Sequence, residues 1–312
     1  MRRTIFDQHK MDGLLIVDKP EGITSHDVVA RVRRILKTRR VGHTGTLDPF
    51  ATGVMVVLVG KATRLAQFLD KDVKEYEAIM RLGFETDTGD RTGMRITDHG
   101  SRIEEIAEVL GRTDLEEVFE EFRGEIEQIP PMYSAKKVEG KKLYELARAG
   151  KEIERKPIKA TIHELELLSD EKIRDPRSTI RIRVVCSAGT YIRTLAVDIG
   201  KRLGTGAHLE ELRRTRSGKF SLSQSVTLDR LEAMDDPDSV LVTMEEAVSN
   251  LQAFVLATDR VEKTKNGLST RVESSELADG QMVRMLTDAG ELIAIGYYNG
   301  DEKAVQPKVV LV

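Results

Sequence analysis

Cysteine occurs once in the 312 residues, at Cys186. A single cysteine excludes an intrachain disulfide and a cysteine zinc site, and it gives no reason to infer an oxidising compartment, so the cytoplasm is the expected location. Long apolar runs are also missing. The longest, such as Val54 to Val59, fall far short of the roughly 20 residues that a membrane-spanning helix requires. The N-terminal stretch carries charges and lacks the apolar core, about 7 to 15 residues, of a signal peptide, so no membrane role is expected. Nucleotide loops are absent as well. The glycines between Gly204 and Gly218 do not have Walker A spacing, and no GxGxxG dinucleotide loop occurs. No nucleotide cofactor is inferred.

What is present suffices for a globular protein of roughly two domains, since 40% of residues are apolar. The net charge of -3 hides a patchwork. Arg31 to Arg40 holds six basic residues and no acid, whereas Glu104 to Glu127 holds ten acids against two arginines. Local charge, not net charge, should therefore decide the partners.

Gly13 to Lys19 reads as a buried strand that ends in a Pro/Gly turn, after which Thr24 or Ser25 can cap a helix. Val28, Val29, Val32, Ile35 and Leu36 recur at helical spacing and leave a basic side of Arg31, Arg33, Arg34 and Lys37. Val41 to Val54 follows as a loop rich in special residues: three glycines, four hydroxyl or imidazole side chains and one acid, Asp48. Pro49 keeps Asp48 out of the right-handed helical region, so its carboxylate should be held in place. Strands are expected at Val54 to Gly60 and at Lys74 to Phe84, where Tyr76, Ala78, Met80 and Leu82 alternate. The acids of Glu85 to Gly93 lack the ligand order of an EF-hand, and a solvated turn is expected there, not a metal.

Capping boxes at Ser101 and Thr113 open two acidic helices. The segment from Gln128 to Tyr144 then mixes prolines, four lysines and two tyrosines, a combination suited to phosphate contact and base stacking. A helix from about Lys142 to Ala149 should stop at Gly150. Strands are expected at Ala160 to Leu168 and Thr179 to Cys186, the second feeding the loop Ser187 to Arg193. Arg193 falls in the first turn of the helix that follows, where a cation opposes the helix dipole and calls for a specific partner. Gly204 to Gly218 reads as a further turn that carries arginines. Leu228 to Asn250 reads as helical and acidic, and the last sixty or so residues as a small β-rich appendage.

These blocks together carry a resemblance. Gly42-His-Thr-Gly-Thr-Leu-Asp-Pro-Phe-Ala-Thr-Gly53 resembles the catalytic-aspartate motif of the TruB-type tRNA pseudouridine synthases. Lys19 to Ser25, Tyr76, Arg81 to Asp90, Ile129 to Lys136, Gly140 to Tyr144 and Gly189 to Arg193 resemble further family blocks in the same order, covering roughly residues 12 to 218. The resemblance implies an α+β fold with a mixed, mainly antiparallel sheet flanked by helices, the pseudouridine synthase fold. It implies a catalytic domain over 1–250, with an RNA-binding insertion at about 124–152, and a PUA-like RNA-binding domain over 251–312. The implied reaction turns a T-loop uridine, position 55, of tRNA into pseudouridine after base flipping, with no cofactor and no metal; the tRNA T arm is the partner and a monomer is expected.

By the same resemblance Asp48 is the essential carboxylate, as nucleophile or as proton acceptor. Tyr76 stacks on the base and can act as a base, and Arg193 pairs with Asp48 and should keep it ionised. His43, Tyr191, Leu212, Lys19 and Lys136 are candidate substrate contacts. Two other classes stand beside this reading: an RNA-binding folding factor without essential catalysis, and a glycoside hydrolase. The hydrolase needs a second carboxylate, and none is evident in a comparable loop near Asp48 or Arg193.

Overall fold

The computed structural model describes residues 11–98, 103–134, 136–138, 140–148, 150–151, 153–168, 178–272 and 276–311. A ten-stranded sheet forms its frame. Along the sheet run Val226–Thr227, Gly13–Lys19, Thr52–Val59, Ala207–Ser217, Lys74–Leu82, Thr179–Cys186, Ile158–Leu167 and Gly124–Gln128, while Val41–Thr44 and Phe220–Ser221 pair off this path. Two contacts are parallel: Gly13–Lys19 with Val226–Thr227, and Thr52–Val59 with Ala207–Ser217. The other pairings are antiparallel. The sheet is therefore mixed and mainly antiparallel, as expected.

Alternation decides what each strand buries. In Lys74–Leu82 every second residue is buried, and Tyr76, Ala78, Met80 and Leu82 pack with Ile180, Ile182 and Val184 of the adjacent strand and with Leu195, Ala196 and Ile199 of the helix Ile192–Leu203. On the other half of the sheet, Val28, Val29 and Val32 of the helix Ser25–Ile35 lie against Leu15, Val17, Met55 and Val57. Thr24 caps that helix through a reciprocal pair with Asp27.

The segment Ala207–Ser217 is a correction. Expected as a turn, it is an eleven-residue strand that pairs with both Lys74–Leu82 and Thr52–Val59. Two register shifts, at Leu209/Glu211 and Arg214/Arg216, break its alternation, and its charged residues find partners across the sheet, so neither period 2 nor apolarity marks it. The Val41 to Val54 loop is also shorter than expected, because Val41–Thr44 is a strand and Thr52 already belongs to the next one. Phe84–Thr86 and Arg95–Asp98 form a small hairpin where only a turn was expected. Asp114, not Thr113, caps the second acidic helix, accepting from the Glu116 N–H at 2.9 Å. Ser101 lies outside the described residues.

A second, five-stranded sheet is built within 252–310. Val283, Met285, Ile293, Ala294 and Val305 make its own core, while Leu286, Leu292, Ile295 and Leu311 join Leu14, Ile16, Val54 and Val56 of the large sheet. The chain thus ends in a β-rich unit seated on the main body.

Gly200 offers a check on this packing. It lies inside the helix Ile192–Leu203, where alanine ordinarily stabilises by about 1 kcal/mol. A Cβ there would come within 2.3 Å of the Ala207 nitrogen. Gly200→Ala is expected to reverse the helix preference and destabilise by about 1–3 kcal/mol in urea unfolding; a more stable variant would contradict the close approach of helix and strand.

Candidate active site

The strands leading to Asp48 and Arg193 are separated in the sheet by Ala207–Ser217 and Lys74–Leu82. The two loops close over these middle strands, so Leu212, Arg214 and Tyr76 lie between them. Together with Asp48, Tyr191 and Arg193 they line a cavity of about 400 Å³.

The Asp48 loop is tied at many points. Lys19 is fully buried and donates from Nζ to the carbonyls of Pro20 (3.0 Å), Pro49 (3.2 Å) and Ala51 (2.6 Å). Gly22 N donates to the Pro49 carbonyl at 2.8 Å. Ser25 Oγ donates to the Leu47 carbonyl (3.0 Å) and accepts from the Leu47 N–H (2.9 Å). Arg214, 1% exposed, reaches both ends of the loop, donating from Nη2 to the Gly45 carbonyl (2.9 Å) and from Nε to the Val54 carbonyl (2.6 Å). Gly53 is required where the loop rejoins the sheet: its φ is +101°, and a Cβ would meet the Arg214 carbonyl oxygen at 2.2 Å.

Arg193 comes from the other side. Tyr191, immediately before the helix, is clamped by Gln128, whose Oε1 accepts from the Tyr191 N–H (2.9 Å) and whose Nε2 donates to its carbonyl (3.2 Å). The guanidinium is 5% exposed and held by four contacts. Nε lies 2.9 Å from Asp48 Oδ2, Nη1 donates to the Thr88 carbonyl (2.9 Å) and lies 3.5 Å from Asp90 Oδ2, and Nη2 donates to the Tyr133 carbonyl (2.7 Å). This supplies the partner that a cation in a first helical turn demands.

Burial pushes the Asp48 carboxyl above the ordinary carboxylate range; Arg193 and Lys19 oppose the rise and Asp90 adds to it. Burial likewise raises the Tyr76 hydroxyl, against the pull of Arg214 from the neighbouring strand. Tyr76 is therefore a neutral phenol at ordinary pH.

Residues 33–192 match the N-terminal domain of the TruB family of pseudouridylate synthases, and residues 193–260 match the C-terminal domain of tRNA pseudouridylate synthase B. The chain is 47% identical over 266 residues to the tRNA pseudouridine synthase B of Geobacillus thermodenitrificans, covering 84% of this chain and 86% of that one. It is 41% identical over 307 residues to that of Bacillus subtilis, covering 96% and 98%. The chain belongs to the TruB family. Among solved structures it resembles an H/ACA RNP bound to a substrate RNA containing 2′-deoxyuridine, with a TM-score of 0.71 at 28% identity over 99% of this chain and 88% of that one. A Cbf5–Nop10–Gar1 complex gives 0.71 at 30% identity with the same coverage.

Not every residue that the TruB resemblance marked reaches the cavity. Asp48, Tyr76, Tyr191, Arg193 and Leu212 do. Lys19, expected as a substrate contact, is sealed under the loop, where three carbonyls occupy its ammonium. Its pKa is lowered to about 8 by burial, with Asp48 opposing. His43 stands half-buried outside the lining, with its ring edge-on to His26 at 6.1 Å. Burial also lowers its basicity. Lys136 does not line the cavity either, and its carbonyl accepts from Leu143 N at 2.9 Å.

Asp90, Ser25, Gln128 and Arg214 are the residues that sequence reasoning missed as site components. Asp90 corrects the expectation that no second acid stands near Arg193. It is no free acid or base, because Oδ1 accepts from Thr88 Oγ1 (2.9 Å), Thr92 N (2.9 Å) and Thr92 Oγ1 (2.5 Å), and the residue is 3% exposed. The likeness of Arg81 to Asp90 to a family block was the available signal.

Ser25→Ala would leave the Leu47 N–H and carbonyl without their side-chain partner. The expected cost is about 1–3 kcal/mol in denaturant unfolding, together with faster hydrogen exchange at Leu47 and its loop neighbours. An unchanged exchange pattern would show that Ser25 does not hold the Asp48 loop.

Proposed function

We propose that this chain isomerises a T-loop uridine of tRNA, position 55, to pseudouridine, with Asp48 as the essential carboxylate and Arg193 as the group that orients it. Membership of the TruB family and the names of its curated relatives support the reaction and the tRNA substrate. The observation that carries the residue assignment is the 2.9 Å contact between Arg193 Nε and Asp48 Oδ2 on the wall of a nucleoside-sized cavity.

The chemistry needs no co-reactant. The bond from the sugar C1′ to N1 of uracil breaks, C1′ joins C5, and the proton that C5 loses is matched by one that N1 gains, so substrate and product are isomers. A target base inside a folded loop must first leave its stack, at a cost of a few kcal/mol. Asp48 retains one-third exposure of its side chain, so its carboxylate can reach a flipped nucleoside. Arg193 fixes its direction through a charge-assisted bond. Asp48 is placed either to attack C1′ or to take a proton from the adjoining sugar carbon. Tyr76, neutral and buried beside the cavity, suits packing against the uracil ring better than accepting a proton at rest. Tyr191 and Leu212 add to the apolar wall, with Leu47 and Ile192.

Asp48→Asn is expected to abolish pseudouridine formation in a T-arm transcript, with the single-turnover rate falling by more than about 10³ and RNA affinity changing much less. Equal product from both proteins, read by mass spectrometry or chemical mapping, would overturn the assignment; intact folding-factor activity in the variant would mark a second role.

The wild-type pH profile gives another check. Burial raises the Asp48 pKa, and the ionised form acts, so activity is present above that pKa and lost as pH falls through it. The acid limb of kcat/KM should lie above the ordinary aspartate value of about 4. A limb at or below that value would contradict the raised pKa of this partly desolvated carboxylate.

A further inference from the structure

The cavity extends past Tyr76 to a second cation that the proposed chemistry leaves unused. Lys74 stands two residues earlier on the same strand and points to the same face, with both residues buried. It is 3% exposed and lines the cavity, yet its Nζ has no hydrogen-bond partner among the described residues. An ammonium in that condition is costly unless an anion joins it.

Its surroundings show which anion is lacking. The charged and titratable groups around it are Arg214, Asp72, Asp70 and Cys186. The Cys186 thiol is neutral, because burial raises its pKa to about 11. Asp70 is exposed at the cavity wall, next to the equally exposed Lys71. Arg214 brings a further positive charge, and its bonds go to neutral groups, the Tyr76 hydroxyl and the carbonyls of Gly45 and Val54. Arg193, by contrast, is balanced by Asp48 and Asp90. Arg193 is thus held by direct carboxylate contacts, whereas Lys74 Nζ feels Asp72 and Asp70 only at a distance and has no hydrogen-bond partner among the described residues.

We propose that Lys74 binds a backbone phosphate adjoining the flipped nucleotide, so that the Lys74 end of the cavity is a phosphate subsite beside the uracil seat at Tyr76. This rests on the reading of Asp48 and Tyr76 given above. Residues i and i+2 of a strand are about 6.6–6.8 Å apart along it, which is on the scale of the separation between a nucleotide's base and its phosphate. A single flexible ammonium suits a phosphate oxygen as a point charge. Gly45 provides the room: its φ is +68°, and a Cβ there would sit 3.5 Å from Lys74 Cε and 3.2 Å from Arg214 Nη1. Swinging the four-carbon stem outward brings the ammonium to the phosphate and relieves its burial.

The test measures binding and single-turnover conversion of a T-arm stem-loop by the wild-type full chain, Lys74→Met and Lys74→Arg. A second set of RNAs carries one neutral methylphosphonate at the phosphate on either side of the target uridine. Lys74→Met should bind the unmodified RNA roughly tenfold more weakly, and the slope of log K against log salt should shrink by about one phosphate contact. Lys74→Arg should recover much of the affinity. One of the two methylphosphonates should weaken wild-type binding by a similar factor while leaving Lys74→Met no weaker. If Lys74→Met keeps wild-type affinity and salt slope, or loses only the chemical step, or if neither methylphosphonate weakens the wild-type protein, the subsite does not exist. Should Lys74→Met fail to fold, the methylphosphonate series on the wild-type chain decides alone. Absence of pseudouridine from the wild-type reaction would instead defeat the functional reading on which the subsite rests.

Discussion

One guanidinium sets the geometry of the site. Arg193 joins Asp48, the turn that holds Thr88 and Asp90, and the Tyr133 carbonyl, which belong to three segments far apart in the chain. Buried ion pairs of this kind contribute little net stability, because desolvation offsets the attraction; their effect is to forbid alternative arrangements, since parting either partner would strand a charge. Two carboxylates against one arginine add a tension. Asp90 and burial raise the Asp48 pKa while Arg193 opposes them, which leaves a carboxylate that is directed without being quenched. The Tyr133 contact also ties the lysine-rich segment to the same guanidinium.

The strand Ala207–Ser217 is the second organising feature. It lies between the two loops and contributes Leu212 to the cavity wall and Arg214 to the support of the Asp48 loop. Its flanking arginines look outward in the sequence, yet Arg213 lies 2.7 Å from Asp18 and Arg216 lies 3.2 Å from Glu75. Arg31 of the basic helix is likewise 2.6 Å from Asp229. Part of the positive charge that sequence alone offers to RNA is therefore spent within the protein, and Lys74, with no hydrogen-bond partner among the described residues, gains importance.

Several elements were legible because they depend on local periodicity. The strand Lys74–Leu82 follows strict alternation, the helix Ser25–Ile35 follows its valines and its Thr24 cap, and the helix Leu143–Arg148 stops before Gly150, whose φ is +67°. That Asp48 lies in an unusual loop was legible for a different reason: glycines, hydroxyls and a proline crowd around a single acid. Ala207–Ser217 was not legible, since bulges erase the period of 2 and paired charges imitate a surface loop. Ser25 likewise read as a helix cap, while its hydroxyl serves a backbone 22 residues away.

Residue type and near-neighbour spacing were enough to suggest the family, to find half the strands of the large sheet, and to mark which acid and which arginine to watch. Tertiary contacts alone put Lys19 under the loop and out of the cavity, gave Asp48 and Asp90 the same Arg193, and left Lys74 beside Tyr76 with no hydrogen-bond partner among the described residues. Those facts depend on burial and on contacts between residues distant in the chain, and neither is encoded in the pattern of any one segment.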